Sequence, residues 1–207
     1  MFCFGVLSPH APILLPEVGG EERAKVQSTI RALNQAAEEM AASKPEKIII
    51  ISPHAEYGFS VPLYFLSQKL PKRPEIEKIL VSNPSYHYYS KLGQEYTKKI
   101  QNTKQRVAII ASGDLSHVLK DDGPYGFHPD GPKLDKIICQ SIKNKDLQTL
   151  LDLDPLILEN GAECGLRSLI FLLAAFASVD YKSSLLSYEG PFGVGYAVAT
   201  FKPKEPK

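Results

Sequence analysis

The chain has few of the features that mark several large protein classes. It contains three cysteines among 207 residues, with no Cys-x-x-Cys spacing, which argues against a disulfide scaffold and favours a reducing compartment. Its formal net charge is only +1, so no overall field attracts nucleic acid or anionic lipid. Phosphate loops, dinucleotide fingerprints and the nucleophile elbow Gly-x-Ser-x-Gly are absent from the sequence.

Long apolar runs are missing as well. The longest apolar stretch, 166–179, contains Arg167 and is too short to span a bilayer, so it predicts a core helix. The N-terminus lacks a basic region, and Pro9, Pro12 and Pro16 interrupt its apolar residues, which argues against a targeting segment. We therefore expect a cytoplasmic protein whose partners include neither a membrane nor nucleic acid.

Short apolar runs alternate along the chain with stretches of helical periodicity. This alternation predicts an α/β fold: a three-layer sandwich with a central mixed, mostly parallel β-sheet flanked by helices. A turn at 189–193 joins the last two runs into a predicted hairpin, which is why a mixed sheet is expected. One domain over 1–201 and a flexible tail at 202–207 are expected. The predicted strands are 2–7, 47–51, 76–81, 106–111, 183–188 and 194–201, with one or two short strands at 57–66, and the predicted helices are 21–42, 88–101, 132–144, 146–152 and one from about 163.

The tripeptide Ser-Pro-His occurs twice, at 8–10 and 52–54, each time directly after a predicted strand. Proline ends each strand because it has no N–H for the sheet ladder. A third predicted strand leads into Ser-Gly-Asp-Leu-Ser-His at 112–117. Ligands of open α/β sheets bind beyond the carboxyl ends of the strands, so the three histidines are predicted to share one site. His10 and His54 are the candidate metal ligands.

A third metal ligand is expected to be anionic. Glu163 is preferred, because it lies at the start of a predicted helix, where the helix dipole favours an ionised carboxylate. The structural alternative for Glu163 is an ion pair with Arg167. Cys164 is the second candidate ligand, and simple packing on the helix is its alternative. Two histidines and one carboxylate form the ligand set of non-heme Fe(II) oxygenases, which leaves positions for substrate and dioxygen.

His117 is the candidate for proton transfer, and Asp114 is the candidate to orient it or to stabilise its charge. The structural alternative is an Asx-turn at Asp114, with His117 capping the next segment. Three further groups have structural interpretations. His87 is expected to pack in an aromatic cluster, His128 to lie in an exposed loop and Glu189 to occupy a turn.

Taken together, these segments resemble the LigB-like superfamily, which comprises the catalytic subunits of class III extradiol ring-cleaving dioxygenases and their Memo-like relatives. The order of the segments carries the resemblance, which covers most of 1–201 and implies a single LigB-like catalytic domain. The chain is most similar to the short members associated with the AmmeMemoRadiSam grouping. The matching segments are 8–12, 51–54, 112–117, 127–135 and 161–165.

The resemblance implies an Fe(II)-dependent extradiol dioxygenase with His10, His54 and Glu163 as iron ligands and His117 as the acid–base residue. Zinc is the competing metal after purification, because it outcompetes ferrous iron at most such sites, and a zinc hydrolase is a further possibility. The alternative is a Memo-like metal protein with a redox or partner-binding role, in which a cysteine, here Cys164, replaces the glutamate. Expected partners are a small aromatic diol and dioxygen, a second copy in a homodimer, and AMMECR1-like or radical-SAM proteins.

Overall fold

The structure is a computed structural model that describes residues 1–204. Strands and helices alternate over most of this length, as the periodicity predicts. The strands are β1 (Phe2–Ser8), β2 (Lys47–Ser52), β3 (Glu75–Leu80), β4 (Val107–Ser112), β5 (Tyr181–Glu189) and β6 (Tyr196–Pro203). The α-helices are α1 (Pro16–Gly19), α2 (Gln27–Ala42), α3 (Glu56–Leu66), α4 (Tyr86–Gln101), α5 (Asp130–Asn144), α6 (Leu147–Leu151), α7 (Pro155–Gly161) and α8 (Leu166–Phe176).

The strands form one sheet in the order β3–β2–β4–β1–β6–β5. β1 to β4 are parallel to their neighbours, whereas β6 pairs antiparallel with β1 and β5 pairs antiparallel with β6. The mixed, mostly parallel sheet and the terminal hairpin are therefore confirmed. Because β4 lies between β1 and β2, the segments that follow these three strands leave the sheet side by side at one edge.

Two apolar layers hold the sheet between helices. In β2, Ile48 and Ile50 pack with α2 and α3 on one face, and Ile49 and Ile51 pack with α4 and α8 on the other. This alternation follows from the two-residue period of a strand. Each fully buried isoleucine contributes roughly 1.5–3 kcal/mol relative to an exposed one. An isoleucine run buried on both faces is what a parallel strand between two helical layers requires.

The prediction of short strands at 57–66 is wrong, because these residues lie in α3. The buried positions Gly58, Val61 and Phe65 recur at steps of three and four, which is the period of a helix. Its aromatic residues and Val61 favour a strand locally. Burial of one helical stripe against the sheet overrides that local preference.

Two further helices depart from prediction at their N-termini. The helix predicted over 21–42 begins as a 3₁₀ helix, Gly20–Val26, and becomes α-helical only at Gln27. The long apolar helix begins at Leu166, three residues later than expected. Residues 163–165 therefore lie in the turn before α8, and this turn decides how the site is built.

The structure also contains α7, which the sequence interpretation omitted. Its first turn has a recognisable signal: Pro155 stands at the first helical position, and Asp154 Oδ1 accepts a hydrogen bond from the Leu156 N–H at 2.9 Å. α5 begins at Asp130, two residues before the predicted start at 132.

The C-terminal strand lies two residues further along the chain than predicted, at Tyr196–Pro203 rather than 194–201. β6 extends through Pro203, and the N–H of Lys204 donates to the carbonyl of Asp180 at 2.8 Å, so the first residues of the predicted tail belong to the sheet region. The rest of the predicted tail, 205–207, lies outside the described residues. Within residues 1–204, no helix has the length and apolar character that crossing a membrane requires.

Candidate metal centre

Three neighbouring strands deliver the predicted site residues to one edge of the sheet. His10 follows β1, His54 follows β2, and Asp114 and His117 follow β4 between them. The rings of His10 and His54 meet edge to face, with centroids 5.1 Å apart and planes at 75°. The two Ser-Pro-His segments thus bring their imidazoles into contact, although 43 residues separate them in the chain.

Hydrogen bonds determine which nitrogen of His10 is free. Ser112 Oγ lies 2.5 Å from the carbonyl oxygen of Gly58, which can only accept, so the serine hydroxyl donates its single proton there. The same Oγ lies 3.0 Å from His10 Nδ1 and must accept from it. Nδ1 therefore carries the ring proton, and Nε2 has the lone pair that a metal ligand needs.

Burial keeps the His10 ring neutral. The residue is only 5% exposed. Desolvation, and secondarily the nearby His54, lower the pKa of His10 to about 4. Its backbone N–H donates to Asp114 Oδ1 at 2.9 Å, which joins the end of β1 to the loop after β4. A neutral, oriented imidazole is the form that binds a metal ion.

Cys164, rather than Glu163, is the third donor beside the two histidines. One donor atom each from His10, His54 and Cys164 lies within 4.8 Å of the others. Cys164 Sγ is 3.6 Å from His10 Nε2. Metal–nitrogen bonds of about 2.05 Å and metal–sulfur bonds of about 2.3 Å separate two tetrahedral donors by about 3.6 Å, so this pair has the spacing of metal ligands.

A close approach of two glycines brings Cys164 to this position. A Cβ atom on Gly113 would clash with the Cα of Gly165, so the loop after β4 and the turn before α8 touch backbone to backbone. The N–H groups of Cys164 and Gly165 both donate to the Asp114 carbonyl, at 3.4 and 2.9 Å. In return the Asp114 N–H donates to Cys164 Sγ at 3.3 Å, a contact that supports a metal-bound thiolate.

The side chain of Glu163 has partners of its own. Its carboxylate is buried and accepts hydrogen bonds from the Tyr86 hydroxyl at 3.0 Å and the Leu166 N–H at 2.5 Å. Arg167 Nη1 lies 3.7 Å from its Oε1, the i,i+4 ion pair that was the structural alternative. Within the described residues, two groups of three potential metal-ligating side chains come within 4.8 Å of one another, and Glu163 belongs to neither. The groups are His10, His54 and Cys164, and Asp114, His117 and Cys164.

The structure does not bring the Glu163 carboxylate to the histidines, and the reason is local; the identity of the third metal ligand stays a prediction. The sequence predicts Glu163 at the start of a helix, whereas residues 163–165 form the turn before α8. From that turn the Glu163 carboxylate accepts a hydrogen bond from the Leu166 N–H at the start of the helix, and Cys164 points to the histidines. Desolvation raises the pKa of the Glu163 carboxyl, and desolvation followed by the Asp114 charge raises the pKa of the Cys164 thiol.

Asp114 and His117 lie on the other side of Cys164. One donor atom each from Asp114, His117 and Cys164 also falls within 4.8 Å of the others. Burial raises the pKa of Asp114 to about 6, and burial, partly offset by Asp114, lowers the pKa of His117. His117 Nε2 is buried and has no hydrogen-bond partner among the described residues. Its ring stacks on Tyr125, with centroids 5.2 Å apart and an interplanar angle of 28°.

The remaining candidates stand outside this cluster. His87 is exposed rather than packed, which corrects its expected role. His128 is half-buried, and its Nδ1 accepts from the Asp130 N–H at 3.2 Å. Glu189 Oε1 accepts from the N–H and the hydroxyl of Thr29, each at 2.6 Å, so it anchors the first turn of α2.

Sequence reasoning missed two residues of the site. Ser112, the last residue of β4, orients His10, and Tyr125 covers His117. Ser112 had a signal, because it occupies the strand end that Ser8 and Ser52 occupy in the two Ser-Pro-His segments. Tyr125 had none, because its contact with His117 depends on how the 118–128 loop folds.

The donor set fits a metal ion. It combines a neutral imidazole with its lone pair free, a second imidazole, and a thiol that burial keeps protonated unless a cation stabilises the thiolate. Imidazole and thiolate ligands suit iron, zinc and copper rather than magnesium or calcium. The buried carboxyl of Asp114 beside these donors adds negative charge that a cation would offset.

Comparisons with known proteins point to one family. The family profile described as the catalytic LigB subunit of aromatic ring-opening dioxygenase matches residues 55–199, which include Asp114, His117 and Cys164. Protein CA_C1420 of Clostridium acetobutylicum is 29% identical over 93% of this chain and 56% of its own length, so this chain spans about half of that relative.

A likeness to a solved structure supports the fold. The crystal structure of the uncharacterized protein JW3007 from Escherichia coli K12 superposes with a TM-score of 0.61 at 11% sequence identity, covering 96% of this chain and 99% of that one. The profile match extends over more than half of the residues and contains the loop after β4 and the turn before α8. The chain therefore belongs to the family of the catalytic LigB subunit of aromatic ring-opening dioxygenases.

Proposed function

We propose that this chain is a metal-dependent oxidoreductase of the ring-opening dioxygenase type, with His10, His54 and Cys164 as metal ligands. The observation that carries the proposal is the convergence of these three donor atoms within 4.8 Å, with the lone pair of His10 Nε2 facing Cys164 Sγ. Membership of the LigB family supports dioxygenase-type chemistry. The proposed substrates are a small aromatic diol and dioxygen.

The proposed metal is ferrous iron. When bound, Fe(II) supplies chelation of both oxygens of the diol and the one-electron chemistry that dioxygen requires. The protein contributes the groups that hold and orient the metal ligands on the buried side of the site. The Ser112 hydroxyl fixes the His10 ring, and the Asp114 N–H supports the sulfur of Cys164. Zinc would displace ferrous iron if intrinsic affinity alone decided between these two metals.

His117 is the proposed acid–base residue. Its Nε2 is buried and has no hydrogen-bond partner in residues 1–204, and burial lowers its pKa, so the ring is neutral at pH 7. A neutral imidazole accepts a proton from a diol hydroxyl and later returns it. Asp114, within 4.8 Å, stabilises the imidazolium that forms. Such general acid–base catalysis contributes roughly 10²–10⁴ in rate.

A second candidate function is a Memo-like metal protein with a redox or partner-binding role and no ring cleavage. One observation favours it: the third donor near the histidines is the thiol of Cys164 and not the carboxylate of Glu163. Thiolate ligation favours softer metals such as Cu(I) and zinc. Metal specificity and diol-dependent turnover separate the two candidates.

The first experiment identifies the third ligand. Cys164→Ser, Glu163→Gln and the control Cys139→Ser are loaded anaerobically with Fe(II) and, in parallel, with Zn(II), and bound metal is measured after desalting. We expect Cys164→Ser to lose most of its metal, while Glu163→Gln and Cys139→Ser retain it. The glutamine keeps an oxygen that accepts from the Leu166 N–H, and its amide donates to the Tyr86 hydroxyl. Metal loss in Glu163→Gln with full occupancy in Cys164→Ser would refute the ligand set.

The second experiment tests the reaction. Dioxygen uptake by the Fe(II)-loaded chain is followed with a panel of catechols, and His117→Ala is compared with His87→Ala, which changes an exposed histidine. We expect diol-dependent uptake that His117→Ala reduces by about 10²–10⁴ while its metal content stays at the wild-type level. Metal binding without uptake on any diol would reject ring cleavage and favour the Memo-like candidate.

A further inference from the structure

Asp135 is a buried carboxylate that the proposed chemistry does not use. It lies in the middle of α5 and is 1% exposed, between the fully buried apolar residues Leu134 and Ile138. Burying an acid among apolar side chains is costly unless hydrogen bonds compensate. The hydrogen-bond partners of the two carboxylate oxygens therefore indicate the role of Asp135.

Both oxygens have a defined partner. Oδ1 accepts from the backbone N–H of Ser116 at 2.8 Å, and Oδ2 accepts from the Tyr188 hydroxyl at 2.7 Å. Gly195 makes room for this arrangement, because a Cβ atom there would overlap Oδ2. α5 and the β5–β6 hairpin thus meet at one carboxylate, next to the residue that precedes His117.

Hydrogen bonds hold the backbone on both sides of His117. The Ser116 carbonyl accepts from the Gly195 N–H at 2.7 Å, the His117 N–H donates to the Ala162 carbonyl at 3.2 Å, and the Val118 N–H donates to Ser116 Oγ at 3.2 Å. Apart from the Asp135 carboxylate, the acceptors and donors in this set are backbone groups or the adjacent Ser116 hydroxyl. Asp135 is the distant side chain in the set.

We propose that Asp135 is a positioning residue for His117, acting through the Ser116 N–H, and that Tyr188 holds the carboxylate in place. The proposal rests on the proposed function of His117 and adds to it a residue that the metal cluster does not contain. Without Asp135, the Ser116 N–H is buried without a partner, and the His117 ring shifts relative to the metal ligands. A misplacement of about 1 Å at a reacting group costs on the order of 10²-fold in rate.

Four variants separate position from charge. Asp135→Asn keeps an oxygen for the Ser116 N–H, and its amide donates to the Tyr188 hydroxyl. Asp135→Glu keeps the charge but displaces it by one methylene, Asp135→Ala removes the acceptor, and Tyr188→Phe leaves Oδ2 without its donor. We expect near wild-type turnover in Asp135→Asn, a severalfold loss in Tyr188→Phe, and a loss on the order of 10²-fold in Asp135→Glu and Asp135→Ala.

The loss is expected in kcat, with unchanged KM for the diol and unchanged metal occupancy, because His10, His54 and Cys164 are not involved. Equal losses in Asp135→Asn and Asp135→Glu would show that the exact acid is needed and overturn the positioning role. Wild-type kcat in Asp135→Glu, or metal loss accompanying the loss of turnover, would also overturn it.

A second readout does not depend on turnover. The five histidines are labelled with ¹⁵N in the Zn(II)-loaded protein, and their ring resonances are assigned with single substitutions. We expect Asp135→Glu to shift or broaden the His117 ring signals while those of His10 and His54 stay in place. Unchanged His117 signals would reject the proposal even if no diol is turned over, whereas absent dioxygen uptake with shifted signals would reject only the proposed reaction.

Discussion

The two Ser-Pro-His segments have the same three residues and end in different surroundings. After β1, His10 is buried, donates its backbone N–H to Asp114 and is fixed through Nδ1 by Ser112. After β2, His54 is exposed. Its backbone N–H donates to the Ser52 hydroxyl, which donates to the His54 carbonyl. One half of the proposed metal centre is thus rigid and preorganised, and the other half is open to solvent.

Sheet position explains the difference. β1 lies between β4 and β6, and the loop after β4 closes over its end, whereas β2 lies next to the edge strand β3. A tripeptide therefore does not determine the environment of its histidine, because the neighbouring strands do. If the buried half of the site dominates metal binding, substitutions around His10 should cost more metal affinity than the matching substitutions around His54.

The largest effect is expected for the metal ligands themselves. Four-ligand structural zinc sites bind with about 10–16 kcal/mol, so one ligand contributes roughly 3 kcal/mol, or more than 100-fold in affinity. We expect both His10→Ala and His54→Ala to lose metal by calorimetric titration with Zn(II), with the larger loss in His10→Ala because its ring is preorganised. A larger loss in His54→Ala would reverse the comparison between the two segments.

The next largest effect is expected in the pH dependence of the free energy of unfolding of the metal-free protein, to which the buried His10 contributes. The pKa of His10 is about 4 in the folded chain against an ordinary 6.5, so the unfolded chain binds this proton more readily. The contribution of neutral His10 is complete above pH 6.5 and is lost as pH falls towards 4, by up to about 3 kcal/mol.

This contribution is measured by comparing urea unfolding of the wild type and His10→Gln between pH 4 and 7. Asp114, whose raised pKa acts in the opposite direction, is present in both chains, so their difference isolates His10. We expect the stability gap between them to narrow as the pH is lowered. A gap independent of pH would mean that the His10 ring is not held neutral by burial.

The smallest effect sharpens the comparison at the two serines. Ser112→Ala removes the acceptor that orients the His10 ring, and loss of such a supporting contact costs roughly 10–100-fold in metal affinity. Ser52→Ala removes only hydrogen bonds to the backbone of His54, worth about 1 kcal/mol. Equal losses of Zn(II) affinity in the two variants would show that orientation of His10 does not matter.

Much of the fold was predictable because β1, β2 and β4 are short, mostly apolar and followed by proline or glycine. The run Ile48–Ile51 and the terminal hairpin are examples. α3 was not predictable in this way, since its aromatic residues and Val61 favour a strand locally and only packing against the sheet selects a helix. The prediction of where α8 begins was wrong for a related reason, because helix ends depend on capping groups and contacts from other segments.

In the candidate site, too, some features were predictable from the sequence and others were not. The gathering of His10, His54, Asp114 and His117 at one edge was predictable, because residues that follow adjacent parallel strands meet there. The choice between Glu163 and Cys164 was not predictable, since it depends on a three-residue turn. The roles of Ser112, Tyr125 and Asp135 depend on contacts between segments that are far apart in sequence.

The α/β class and the imidazoles at the strand ends follow from the amino-acid pattern, because periodicity and strand termination are local properties of the chain. Which acidic group faces the histidines follows instead from packing between distant segments. That choice depends on the contact between Gly113 and Gly165, where two distant backbones touch and turn Cys164 towards His10 while Glu163 caps the helix. Contacts of this kind are made between segments, and the pattern within either segment does not contain them.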